Sequence, residues 1–174
     1  MTVVINLYGE PSSGKSTIAS GLFFHMKMGG LNVEMAPEYI KSKVFEENPY
    51  PFKDQLYVFA KQNKKLRELQ GKVDFIITDS PLLMSLVYNS TEPPLFDEMV
   101  LQYYKQYNNM NFLLKRNHAY HTEGRKQTEQ EADIVGIELE EKLKKYNIDY
   151  ITLPSNESMY NILQILYRSF PING

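Results

Sequence analysis

No cysteine occurs anywhere in the 174 residues, which removes disulfides, thiolate metal sites and thiol nucleophiles together and suits a reducing compartment. Excess charge is scarce too: a formal net charge of -2 supplies no overall basic field to gather nucleic acid. Arginine occurs only as Arg67, Arg116, Arg125 and Arg168, fewer than a binding site for an acceptor phosphate calls for. The apolar start, Val3 to Leu7, is too short for a signal sequence and has no basic flank before it, so the reading is cytoplasmic, with no membrane. An Asn/Thr-Lys-x-Asp guanine motif is missing as well, which argues against a GTP-driven switch.

What is present fits one ordinary globular domain. Hydrophobic residues at 43% and charged residues at 23% sit near globular averages, and the length suffices for a core without disulfides or structural metal. No repeat, low-complexity stretch or linker interrupts the chain, so residues 1–174 are expected to form a single domain.

The run Val3-Val4-Ile5-Asn6-Leu7 stops at Gly9 and suits a buried strand opening into a glycine loop. Ile18, Leu22, Phe23 and Met26 then recur at helical spacing before Gly29-Gly30. A second strand over 32–36 delivers Pro37-Glu38 to its C-terminal end, ahead of a short helix from Tyr39. A longer helix carries Leu56, Phe59, Ala60 and Leu66 inward, and 75–79 reads as a third, fully buried strand. Helices over 82–88 and 97–107 lead to a fourth strand at 111–114. Ile134, Ile137, Leu139 and Leu143 mark another helix, 150–153 a fifth strand, and Ser155 is a candidate cap for a last helix with Met159, Ile162, Leu163 and Leu166 on its apolar face. Such alternation implies an α/β fold with a parallel sheet and helices on both faces.

Gly9-Glu10-Pro11-Ser12-Ser13-Gly14-Lys15-Ser16-Thr17 satisfies GxxxxGK[ST], a string expected by chance in about one chain of this length in two hundred. Its place between a strand and a helix is the context the pattern demands. The glycines let successive amides converge on one anion, Lys15 adds charge at the β and γ phosphates, Ser16 offers a hydroxyl to Mg²⁺, and the helix N-terminus is partially positive.

Asp79 ends an apolar strand, where a carboxylate either organises magnesium beside a phosphate loop or caps the following turn. Glu38 is expected at the same sheet edge, where it can accept a proton from an attacking hydroxyl or orient a second substrate. The polar stretch 116–129 exceeds what a plain connection needs and is expected to form a lid. Phosphoryl transfer needs cations over the γ-phosphate; Arg125, after Gly124, is the first candidate, with Arg116 and Lys126 behind it. His118 and His121 lack the spacing and companions of a zinc site. Tyr39 and Tyr120 stand where a ring can stack on a base, while Lys61, Lys64, Lys65 and Arg67 read as a solvated helix face.

Taken together, four blocks resemble the small P-loop ATPase/kinase family that includes the nicotinamide riboside kinase domain of bacterial NAD-biosynthesis regulators. They are Gly9 to Thr17, Pro37-Glu38-Tyr39, Phe75 to Asp79, and Tyr120 to Arg125 followed by Gln130-Glu131-Ala132 and the run to Pro154. In order and spacing they cover most of the chain. The resemblance implies a three-layer P-loop NTPase fold of nucleoside and nucleotide kinase type, with a mainly parallel five-stranded sheet and a lid after strand four. It also implies transfer of a phosphoryl group from ATP, with Mg²⁺, to a small hydroxylated acceptor. The chain departs from the family at Lys41, where an arginine is frequent three residues after the glutamate; the bidentate fork is lost there.

The expected enzyme is therefore an ATP-dependent kinase of a nucleoside or nucleoside-like molecule, monomeric or homodimeric. Gly9, Pro11, Ser12, Ser13, Gly14, Lys15, Ser16 and Thr17, with Arg116, would hold the nucleotide; Ser16 and Asp79 would organise the metal; Lys15, Glu38, Asp79 and Arg125 would carry the chemistry. The alternatives are a nucleoside monophosphate kinase, an ATPase or regulatory nucleotide-binding module, and, with less support, a kinase of nucleic-acid ends.

Overall fold

A computed structural model describes residues 2–40, 54–89, 92–120 and 128–170. Eleven elements follow in chain order among them: β1 (Val3–Tyr8), α1 (Lys15–Met28), β2 (Val33–Met35), α2 (Gln55–Leu69), β3 (Phe75–Thr78), α3 (Met84–Val87), α4 (Leu95–Tyr104), β4 (Asn108–Lys115), α5 (Glu129–Lys145), β5 (Ile151–Pro154) and α6 (Ser158–Ser169).

All five strands are parallel, in the order β2-β3-β1-β4-β5. Strand β1 is buried at every position, and its period of two sends Val3, Ile5 and Leu7 to one face and Val4 and Tyr8 to the other. On the first face α1 contributes Ala19, Leu22 and Met26, and α6 contributes Ile162, Leu163 and Leu166. On the second, α2, α3, α4 and α5 pack Phe59, Leu66, Leu86, Phe96, Val100, Leu139 and Leu143. This is the expected three-layer α/β arrangement. The order reverses about β1, so its C-terminal end opens at a topological switch point, where such sheets bind ligands.

Several boundaries and faces differ from the sequence reading. Strand β4 starts three residues early because Asn108, Asn109 and Met110 pair with Val3, Val4 and Ile5. Its polar opening is satisfied by a side-chain ladder: Asn6 Nδ2 donates to Asn109 Oδ1 (2.9 Å) and Asn111 Oδ1 (3.0 Å), and Asn111 Nδ2 donates to the Tyr104 hydroxyl (2.8 Å). Ser155 caps no helix: α6 begins at Ser158, and Ser155 Oγ lies 3.0 Å from the Lys115 carbonyl and 2.9 Å from Asn117 Oδ1. Leu56 and Ala60 face outward on α2, whose inner side is Phe59, Gln62, Asn63 and Leu66. Ile134 and Ile137 are exposed on α5, whereas Leu139 and Leu143 are buried as expected, together with Ala132. Among the described residues no helix is long and apolar enough to cross a membrane.

Candidate functional site

β1 ends in a turn only glycine permits. At Gly9 φ is +149°, and a Cβ would stand 2.4 Å from Ser13 Oγ and 2.7 Å from the Leu114 carbonyl oxygen, a backbone atom that cannot yield. Ser12, with φ 70°, and Gly14, with φ 82°, are left-handed. For serine that conformation costs about 1–3 kcal/mol and persists only where the surroundings impose it. Left-handed residues within such a loop aim neighbouring amides into a concavity that suits an anion. The turn closes on itself: Ser13 N–H donates to the Glu10 carbonyl at 3.1 Å, and Ile18 N–H to that of Gly14 at 2.9 Å, starting α1. Lys15 Nζ lies across the loop, donating to the carbonyls of Gly9 and Glu10 at 2.8 Å each.

Three strand ends converge beside that loop. Ser16 Oγ donates to Asp79 Oδ2 at 2.5 Å, and the Glu38 amide donates to Asp79 Oδ1 at 3.1 Å. Asp79 is 7% exposed, so its carboxylate is held between the first turn of α1 and the residue that follows β2 and Pro37. Asp79 therefore spends both oxygens within the site; neither serves a helix cap. A hydroxyl and a carboxylate are the hard oxygen donors that Mg²⁺ prefers, and the pair fits that ion.

The residues on either side of Glu38 are held by a side chain the sequence reading missed. Gln62, buried on the inner face of α2, accepts from the Tyr39 amide (3.1 Å) and donates toward the Ala36 carbonyl (3.2 Å) and Thr78 Oγ1 (3.3 Å), binding the ends of β2 and β3 together. The available signal was a polar residue in the inward series 59, 62, 63, 66. Lys65, read from sequence as solvated, instead donates to the Pro37 carbonyl at 2.7 Å and lies 5.9 Å from the Tyr39 ring centroid. Desolvation lowers the Lys65 ammonium, against the opposing pull of Asp79 and Glu38. Tyr39 and Tyr57 join hydroxyl to hydroxyl at 3.0 Å with their rings edge to face. Burial around its hydroxyl, then the charge of Glu38, push Tyr88 up to about 12, so this phenol is a neutral donor at physiological pH.

At the end of β4, Arg116 turns to α5. Its Nη2 pairs with Asp133 and lies 3.4 Å from Glu129, while the guanidinium sits 5.2 Å from the Tyr120 ring centroid. Tyr120 thus stacks on Arg116. The side chain is 11% exposed, and Nη1 is buried without a hydrogen-bond partner among the described residues. Next to it, Asn117 and Asn156 join side chain to side chain, and Ser155 lies against Gly14. Pro11 is half-buried and Thr17 exposed on the loop and first turn. Arg125, Lys126, His121 and half of the expected lid lie outside the described residues, as does Lys41.

The solved structures most informative for this geometry are similar in fold rather than sequence. Thymidylate kinase from Ehrlichia chaffeensis matches with a TM-score of 0.66 at 13% identity, over 95% of this chain and 100% of that one. NadR protein in complex with NR matches with a TM-score of 0.68 at 13% identity, over 99% of this chain; the match spans only 52% of the NadR chain. No curated protein sequence matches. A family model described as an AAA domain matches residues 4–159, from the first residues of β1 to the first turn of α6, and includes the loop and both carboxylates. By that match over most of its length, the chain belongs to the AAA domain family.

Proposed function

We propose that the protein is a Mg²⁺-dependent kinase that transfers the γ-phosphoryl group of ATP to a hydroxyl of a small nucleoside-like molecule. The observation that carries the reading is the Asp79 carboxylate, with Ser16 Oγ on one oxygen and the Glu38 amide on the other. A single group thereby ties the phosphate loop to the residue best placed to meet an acceptor.

In this reading the loop amides hold the β-phosphate of the donor, and Lys15 leaves the Gly9 and Glu10 carbonyls for phosphate oxygens. Ser16 and Asp79 would hold the metal, which when bound offsets charge on the β and γ phosphates. Nη1 of Arg116 is a buried donor with no partner among the described residues, a natural contact for an anionic oxygen. Glu38 either takes the proton of the attacking hydroxyl or orients it; Tyr39, Tyr57, Lys65 and Tyr88 surround the acceptor side. Arg125 and the segment 116–129 are assigned to lid closure and charge stabilisation.

Arginine placement favours an uncharged hydroxyl over an acceptor phosphate. Arg67 lies within electrostatic reach of Tyr107, just before β4 at the opposite sheet edge, and Arg168 is in the last turn of α6. The two structural neighbours, a thymidylate kinase and NadR in complex with NR, support a nucleoside or nucleotide acceptor class.

The test is ADP release from MgATP against a panel of nucleosides, nicotinamide riboside and nucleoside monophosphates, beside Lys15→Ala. Stimulation by a nucleoside, abolished in the variant, establishes the reading. Turnover that no small acceptor accelerates overturns it in favour of an ATPase module serving a partner.

A further inference from the structure

Glu10 is an anomaly in a loop shaped for phosphate. An acid there must be aimed away from the anion, since like charges within a few ångströms repel strongly. Glu10 is only 9% exposed, and its Oε1 accepts the Arg116 amide at 3.1 Å. The other side of its side chain meets α5, where a Cβ built on Gly136 would stand 3.3 Å from Glu10 Cβ and 3.5 Å from Oε2.

Gly136 lies in the interior of a 17-residue helix, where glycine costs about 1 kcal/mol relative to alanine. Its φ is not positive, so backbone conformation does not call for glycine. Space does. Gly136 also belongs to a stripe on one side of α5: Glu129 and Asp133 meet Arg116, Gly136 meets Glu10, and Glu140 meets Lys115. Those positions fall at i, i+4, i+7 and i+11, a single helical face. The helix that directly follows residues 121–127 is therefore seated on the phosphate loop and on the end of β4.

From this we infer that Glu10 is a positioning residue: wedged against Gly136 and bonded to the Arg116 amide, it holds the phosphate loop in its anion-binding shape and makes that shape depend on where α5 sits. The inference rests on the nucleotide-binding reading above, but needs neither an acceptor nor turnover.

The experiment is a set of Kd measurements with a fluorescent ADP analogue and Mg²⁺, paired with thermal midpoints, for wild type, Gly136→Ala, Glu10→Ala, Glu10→Gln and the Glu10→Ala/Gly136→Ala double variant. Gly136→Ala improves helix propensity, so its midpoint should hold or rise, while its nucleotide affinity falls about three- to tenfold as Glu10 is displaced. Glu10→Gln, which keeps the length and an acceptor oxygen, should regain most of what Glu10→Ala loses. In the double variant the two losses should not multiply, because the wedge is already gone. Unchanged affinity in Gly136→Ala, or losses that simply multiply, would overturn the positioning role. A wild-type protein that takes up no analogue would overturn the nucleotide-binding reading itself, a result distinguishable from either.

Discussion

Ser16 and Asp79 stand hydroxyl to carboxylate at 2.5 Å although 63 positions separate them in the chain. The contact joins the helix that follows β1 to the end of β3, and the same carboxylate steadies the backbone at Glu38. Asp79→Asn keeps an oxygen for the Glu38 amide but loses the charge that would hold the metal. Its expected signature is a fall in MgATP turnover of about 10²–10³-fold with a small change in thermal midpoint. Asp79→Ala also removes the acceptor of the partly buried Glu38 amide, with an added stability loss of about 1 kcal/mol. Steady-state kinetics and thermal melts of both variants separate the two effects.

Gln62→Leu tests whether the ends of β2 and β3 are held by a side chain rather than by the sheet alone. The variant fits the apolar surroundings of α2 but strands the Tyr39 amide, and stability should fall by about 1–3 kcal/mol. Urea denaturation is the measurement, with an unchanged m-value marking a loss of stability and not of compactness. If the Tyr39 amide indeed positions Glu38, kcat should fall more than the KM for ATP rises.

Asp97 supplies a pH-dependent staple between α4 and α5. Burial pushes its carboxyl up, but hydrogen bonds from Asn89, Lys142 and Tyr146 and the charge of Lys142 outweigh it, and the group titrates below its usual value. A carboxyl lowered on folding stabilises fully above its unfolded value, about 3.9, and that contribution is lost as pH falls through the folded value. The stability margin of wild type over Asp97→Asn should therefore be constant from neutral pH down to about pH 5 and shrink below about pH 4. Denaturant melts across that range check the sign.

Tyr8 carries a hydroxyl with no exposed surface and no hydrogen-bond partner among the described residues, and burial, with a smaller push from Tyr104, drives its phenol well above the ordinary value. Removing an unsatisfied buried group of this kind is close to neutral or stabilising. Tyr8→Phe should hold or raise the thermal midpoint; a loss beyond about 1 kcal/mol would mean that the hydroxyl has a partner in solution, such as a buried water.

Much of this was legible in the sequence because local signals and global architecture agreed. The run from Val3 to Thr17 combines a β-branched strand, two glycines and Lys15-Ser16, and each feature has a local reason to be there. Asp79 was legible because an apolar strand ended in an acid. What escaped was set by distant partners. Gln62 and Lys65 looked like ordinary helix polarity until Ala36, Pro37 and Thr78 were placed beside them. Ile134 and Ile137 promised an apolar seam on α5, but the adjacent charged stripe met Arg116 and Lys115, and the isoleucines were turned outward. The asparagines that open β4 concealed three of its residues, since the partners that satisfy Asn109 are Asn6 on the neighbouring strand and the carbonyls of Tyr104 and Tyr107.

The phosphate loop is nine residues long in sequence, yet its shape is specified from far away. Asp79 reaches it across 63 positions and Arg116 across 106, while Leu114 and Gly136 set its clearances from β4 and α5. Non-local contacts of this kind form late, because the loop-closure entropy of most of the chain must be met first. The segment that carries the strongest motif is thus unable to adopt its functional form by itself. Nucleotide uptake during refolding should lag behind the appearance of helical signal and report completion of the whole sheet.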